Sequence, residues 1–112
     1  PKAVPVFDKA GMMARLMDDE ELVRDVIESV LERMPEEIKT LQDYLDHSDL
    51  ASAARQAHSI KGAVGNVGGE AMRAVAFEME KAGKVGDVEA IAARMPELEQ
   101  QFIRLKEAIQ GR

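Results

Sequence analysis

The chain has 112 residues, of which 46% are apolar, and its formal net charge is −6. This length suits one domain with a single modest core, and with three Phe, one Tyr and no Trp that core must consist of aliphatic side chains and Met. The acidic balance argues against nucleic acid as a partner, and the absence of cysteine excludes thiol chemistry. No apolar run approaches the roughly 18 residues of a membrane span, so we expect a cytoplasmic domain without membrane contact.

The beginning of the chain combines a linker-like segment with helix start signals. Residues 1–6 contain two prolines and are interpreted as a linker that leads into a domain of residues 7–112. Asp8 can cap a short first helix. Asp18, followed three residues later by Glu21, forms a capping-box pattern that predicts the start of a long second helix.

Helical periodicity continues to the end of the chain, and short polar or glycine-containing turns divide it. Three further helices are predicted at about residues 50–67, 70–83 and 88–109. Pro35 and Pro96 fall inside the second and the last helix, where we expect kinks. Because short connections force consecutive helices to lie antiparallel, the sequence predicts an all-α fold, an up-down antiparallel four-helix bundle with a short additional N-terminal helix.

The third predicted helix carries a histidine on its polar side. At about 100° per residue, its apolar residues cluster on one side, and His58 lies roughly 140° from the middle of that stripe. The neighbours of His58 on the same face, at helical spacings of three, four and seven residues, are Ala54, Lys61, Gly62 and Gly65. The imidazole is therefore expected to stand among very small side chains with one cation beside it.

Stability does not explain these glycines. Two glycines inside a helix should together cost about 1.5–2 kcal/mol relative to Ala. Small side chains at Gly62, Gly65 and Ala54 would instead let a partner protein approach His58 closely, although Gly65 could equally serve close helix packing. Lys61 could offset the charge of about −1.5 to −2 on a phosphoryl group, and an unprotonated imidazole nitrogen is a nucleophile.

Glu80 is the predicted partner of this histidine. His58 precedes the Gly68–Gly69 turn by about as many residues as Glu80 follows it, so the two should lie at similar heights on adjacent antiparallel helices. Glu80 could accept a hydrogen bond from Nδ1–H of His58 and leave Nε2 as the outward-facing nucleophile. The alternative is a surface carboxylate without a role.

The segment from His58 to Gly68 resembles the H-x-x-K-G-x(5)-G signature of the histidine-containing phosphotransfer (HPt) family, which includes the phosphorylated domain of chemotaxis histidine kinases. The resemblance runs from about residue 7 to residue 109. It implies that His58 is phosphorylated, that Lys61 stabilises the phosphate and that Gly62 permits close approach. It also implies that the partner is a receiver domain that supplies both the phosphorylatable Asp and the Mg²⁺ ion, so that no cofactor is expected in this domain. Leu is usual where Met72 stands, a departure that affects packing only.

The leading interpretation is a phosphorelay intermediate that accepts a phosphoryl group from one receiver aspartate and passes it to another receiver. No nucleotide-binding motif is present, so independent kinase activity is not expected. The linker-like start favours the C-terminal HPt domain of a hybrid sensor kinase, with a histidine kinase core in the same chain. The alternatives are the substrate domain of a chemotaxis-type kinase and a non-catalytic helical interaction module.

Other residues receive structural interpretations. A di-iron or other metal bundle needs Glu three residues before a His, and neither histidine has one, so no metal site is predicted. His47 is expected to end the second helix, where a partly cationic ring suits the helix dipole. Phe77 lies away from the apolar stripe of its helix and is expected to pack beneath the first helix or, less favoured, to contact a partner.

Overall fold

The structure is a computed structural model that describes residues 4–111. Within this range the secondary structure is entirely helical, with no strand. The five helices are α1 (Lys9–Arg15), α2 (Glu20–Asp46), α3 (Leu50–Asn66), α4 (Glu70–Lys84) and α5 (Val88–Gln110). The predicted all-α class is confirmed, and the last three helices end within one residue of their predicted limits.

The four long helices form a closed bundle. Each packs against its neighbours in the order α2, α3, α4, α5, and α5 returns to α2. The α3–α4 pair is the most closely packed, because small residues face each other there. A Cβ atom added to Gly83 would lie 2.8 Å from the Cβ atom of Ala54, so only glycine fits this contact without displacement. The predicted antiparallel bundle, with α1 as the short additional helix, is confirmed.

Aspartate side chains fix the starts of four helices. In each case the carboxylate accepts a hydrogen bond from a backbone N–H in the first turn, which satisfies a group that the helix itself cannot pair. The four N-caps are Asp8, Asp19, Asp49 and Asp87. The capping box predicted from Asp18 is wrong by one residue, because Asp18 has a φ of 55° in the turn after α1 and Asp19 accepts from Glu21 and Leu22 at 3.1 Å.

The core is aliphatic, as the composition requires. Its largest fully buried side chains come from all five helices and from the C-cap residue of α3: Met12, Met34, Leu41, Ile60, Val64, Val67, Met72, Met79, Ile91, Leu98 and Leu105. The helices α2 and α5 continue through Pro35 and Pro96, and the kinks expected there stay predictions. Among the described residues, no helix has the combination of length and apolar character that crossing a membrane requires.

The chain before α1 is attached to the turn between α3 and α4. Asp8 N–H donates to the Gly68 carbonyl at 2.7 Å, and Ala71 N–H donates to the Pro5 carbonyl at 2.9 Å. Gly68 has a φ of +75°, and a Cβ atom there would collide with the backbone of Asp8. Of the predicted linker 1–6, residues 1–3 lie outside the described part, whereas Pro5 and Val6 contact the bundle. Backbone hydrogen bonds therefore attach the segment before α1 to the turn that joins α3 and α4.

Candidate functional site

His58 projects into solvent from the middle of α3. Its side chain is 66% exposed, while its helix neighbours Ala57 and Ile60 are buried in the core. The apolar stripe therefore fixes the rotation of α3, and the helical repeat then directs His58 away from the core. The expected exposure of the imidazole is found.

Glu80 on α4 contacts this imidazole. Its Oε2 atom lies 2.9 Å from Nδ1 of His58, and its side chain is only 5% exposed. An ionised carboxylate has no proton to donate, so Nδ1–H of His58 must be the donor. The lone pair of the neutral ring then resides on Nε2, the nitrogen that does not contact Glu80.

The charge on Glu80 is maintained by its neighbours. Burial by itself would raise its pKa, but hydrogen bonds from Lys61, Lys84 and His58 outweigh burial and lower the pKa to about 2. The carboxylate therefore stays ionised at neutral pH. Because its pKa is below the ordinary value of 4.5, the stabilisation that it gives is complete above that value and is lost as the pH falls towards 2.

Two lysines approach Glu80 in different ways. Lys61 Nζ donates to Oε1 at 2.7 Å, and its side chain is only 18% exposed. Its ammonium group also lies 4.9 Å from the centre of the Phe77 ring. Lys84 Nζ lies 3.2 Å from Oε2, the oxygen that also accepts from His58, and its side chain is 66% exposed. The role predicted for Lys61 stays a prediction, but its ammonium group already has a carboxylate partner.

The small residues predicted around His58 have three different surroundings. A Cβ atom on Gly62 would meet nothing within 4 Å, so the space above it is open. Gly65 is covered, since a Cβ atom there would lie 3.1 Å from Cδ of Arg73. Ala54 is only 8% exposed and packs against Gly83. The open face is therefore smaller than expected and is centred on Gly62.

A surface hollow of about 770 Å³ lies on the other side of His58 from Gly62. Its floor consists of small residues of the α3–α4 interface, and two cationic side chains line it. The lining residues are Ala51, Ala54, Arg55, His58, Glu80, Gly83, Lys84 and Gly86. Sequence reasoning missed Arg55 and Lys84, although both lie at helical spacings from the site, three residues before His58 and four after Glu80.

Phe77 and His47 have surroundings that can be compared with their predicted structural roles. Phe77 is 43% exposed, so the preferred packing beneath the first helix is not found. The ammonium groups of Lys61 and Lys81 lie 4.9 and 4.6 Å from the centre of its ring. His47 ends α2, where its Nδ1 lies 2.7 Å from the Asp43 carbonyl oxygen. In the described part of the chain, no group of three His, Asp or Glu side chains could hold a metal ion.

The bundle therefore exposes a histidine ring whose orientation is fixed through Nδ1 by a buried carboxylate, with Nε2 away from that contact. The sequence model of the family described as Hpt domain matches residues 25–108, and the chain therefore belongs to the Hpt domain family. Domains of this family are phosphotransfer modules of two-component signalling, have no catalytic activity of their own and interact with receiver domains. A comparison with curated protein sequences gives no significant match.

Proposed function

We propose that this domain is a phosphorelay intermediate, in which His58 accepts a phosphoryl group from the aspartate of one receiver domain and passes it to another. The observation that carries the proposal is the contact of 2.9 Å between Nδ1 of His58 and Oε2 of Glu80, on a ring that is 66% exposed. This contact leaves Nε2 free to react at the surface, where a folded partner can reach it.

The transfer is a displacement at phosphorus. The Nε2 lone pair forms the N–P bond while the P–O bond to the receiver aspartate breaks, and the bonding electrons return to that carboxylate. The proton on Nδ1 stays in place, so the phosphorylated ring becomes a cation. Glu80, anionic and 2.9 Å from Nδ1, stabilises the positive charge that develops. Transfer to the next receiver reverses these changes.

Charge distribution supports an acidic partner surface. The segment from Leu50 to Lys84, which forms α3 and α4, carries five basic and three acidic residues. The rest of the chain carries ten basic and eighteen acidic residues. The hairpin that presents His58 is thus the positive part of an acidic protein, and Lys61 contributes to the potential that favours a phosphoryl group.

In the proposed reaction, the partner protein supplies the phosphoryl donor and the metal ion. A receiver domain provides the phosphorylated aspartate and the Mg²⁺ ion, while this domain provides the positioned nucleophile and neighbouring positive charge. A histidine kinase core in the same chain and a cytoplasmic location belong to the same proposal. The direct phosphoryl donor is then a receiver and not ATP.

The proposal is tested by mixing the domain with receiver domains that carry a radioactive phosphoryl group. We expect the label to move from the receiver to this domain before the first sample can be quenched by hand. The bound label should be acid-labile and alkali-stable, as a phosphoramidate is. Label that arrives only from a kinase domain with ATP, and never from a receiver, would identify the chemotaxis-type substrate domain instead. No label from either source would contradict phosphotransfer.

Replacement of Glu80 tests the carboxylate. Glu80→Gln keeps an acceptor near Nδ1 but removes the charge, and Glu80→Ala removes both. We expect phosphorylation to slow about tenfold in Glu80→Ala, which corresponds to the loss of one charged hydrogen bond of about 1.4 kcal/mol, and less in Glu80→Gln. Initial rates of labelling measure the effect, and thermal unfolding identifies any loss of folded protein. Equal rates in all three proteins would reduce Glu80 to a structural residue.

A further inference from the structure

Lys61 and Lys84 differ in their freedom to contact a phosphoryl group. Lys61 has a short bond to Oε1 of Glu80, little exposure and an aromatic ring beside its ammonium group. Moving Lys61 would leave the buried Oε1 atom without this donor, which is costly. Lys84 has a longer contact and a well-exposed side chain, so it can leave Glu80 at small cost.

Lys84 is also close to the reacting ring. Nδ1 of His58 and Nζ of Lys84 both contact the same oxygen, Oε2 of Glu80, at 2.9 and 3.2 Å. The distance between the two nitrogens therefore cannot exceed the sum of these two contact distances. A rotation about the flexible lysine stem is sufficient to move the ammonium group from Oε2 towards a group attached to the ring.

Arg55 provides a second cation in the same hollow. It lies one turn before His58 on α3, is exposed, and donates to the neutral Ser52 hydroxyl at 3.0 Å. In the described structure no carboxylate forms an ion pair with its guanidinium group, although, beside the hydrogen bonds from Ser52, its charge helps to lower the pKa of Asp49, the N-cap of α3. The small buried residues Ala54 and Gly83 line the hollow together with Arg55 and Lys84 and leave its space unfilled.

We propose that the phosphoryl group on Nε2 of His58 is held directly by Arg55 and Lys84, at the edge of this hollow, while Lys61 stays bound to Glu80. This inference rests on the proposed function, since it needs His58 to be phosphorylated. It moves the phosphate contact, which the sequence assigns to Lys61, to two other cations. Lys61 is a positioning residue that holds Glu80, and Lys84 together with Arg55 forms the contact with phosphate oxygens.

The test uses the 112-residue domain and phosphoramidate, a small donor that requires no receiver. Nε2 of His58 attacks phosphorus, the P–N bond of the donor breaks, and ammonia leaves. The variants are Arg55→Gln, Lys84→Gln, Lys84→Arg and Lys61→Gln. Lys81→Gln is the matched control, because Lys81 lies on the same helix, is 51% exposed and pairs with Glu78 away from the hollow.

The decisive readout is the pKa of the phosphoryl group itself, followed by ³¹P NMR during a pH titration of each phosphorylated protein. Nearby cations favour the dianion, so we expect Arg55→Gln and Lys84→Gln each to raise this pKa by about half a unit and to slow phosphorylation about threefold. Lys84→Arg should restore both values, and Lys81→Gln should match the unmodified chain. A structural role alone would not move the phosphoryl titration.

Two kinds of failure are distinguishable. If the unmodified chain is labelled on His58 but Arg55→Gln and Lys84→Gln titrate like Lys81→Gln, or if only Lys61→Gln shifts the titration, the inference is wrong and the proposed function survives. If neither phosphoramidate nor a phosphorylated receiver domain labels His58, the proposed function fails and takes the inference with it.

Discussion

The variant His58→Gln is expected to accept no phosphoryl group from a receiver domain. Glutamine can occupy the surface position but has no nitrogen lone pair that can attack phosphorus. The fold should survive, because the replaced side chain is 66% exposed and Glu80 keeps its contacts with Lys61 and Lys84. Label incorporation and thermal unfolding together separate loss of chemistry from loss of structure.

The matched control for this variant is His47→Gln, which removes the other histidine of the chain. His47 ends α2 and contacts the Asp43 carbonyl, away from the α3–α4 hairpin. We expect His47→Gln to be labelled as fast as the unmodified chain. Label that persists in His58→Gln, or that disappears in His47→Gln alone, would move the acceptor to another residue.

Gly62→Gln is expected to slow transfer from a receiver by about tenfold or more, equivalent to a steric penalty of about 1.4 kcal/mol in the docked complex. The space above Gly62 is open in the isolated domain, so the new side chain causes no internal clash and would stand where a partner must approach. The domain itself should become more stable by about 0.5 kcal/mol, because Gln favours a helix more than Gly does.

A small donor distinguishes this steric effect from damage to the histidine. With phosphoramidate, Gly62→Gln should be labelled at the rate of the unmodified chain, and Gly62→Ala should give an intermediate rate with the receiver. If Gly62→Gln is equally fast with the receiver, the partner does not approach over Gly62. If it is equally slow with both donors, the side chain disturbs His58 directly.

Much of the fold could be predicted because its signals are local. Aspartates before apolar periodic segments mark helix starts, and the Gly68–Gly69 pair ends α3 at the expected place. The pairing of His58 with Glu80 also followed from the sequence, since equal distances from a tight turn place residues at equal heights in an antiparallel pair. Exposure of His58 followed from the apolar stripe of its own helix.

The sequence could not show which residues the long side chains of lysine and arginine contact. Helix geometry placed Lys61 beside His58 as the cation for a phosphoryl group, but the lysine stem also reaches the neighbouring helix, where its ammonium group binds Glu80. Arg73 covers Gly65 for the same reason. The burial of Ala54 depends on Gly83 in α4, a contact between helices that neither helical pattern encodes alone.

If Glu80 holds Nδ1 of His58 and leaves Nε2 to react, the phosphoryl group must be attached to one particular ring nitrogen, which NMR can identify. Correlation spectra between ¹⁵N and ring protons of the phosphorylated, ¹⁵N-labelled domain report this for each histidine. We expect phosphorus on Nε2 of His58, with the proton retained on Nδ1 beside Glu80. Phosphorus on Nδ1 of His58, or on any other residue, would contradict it.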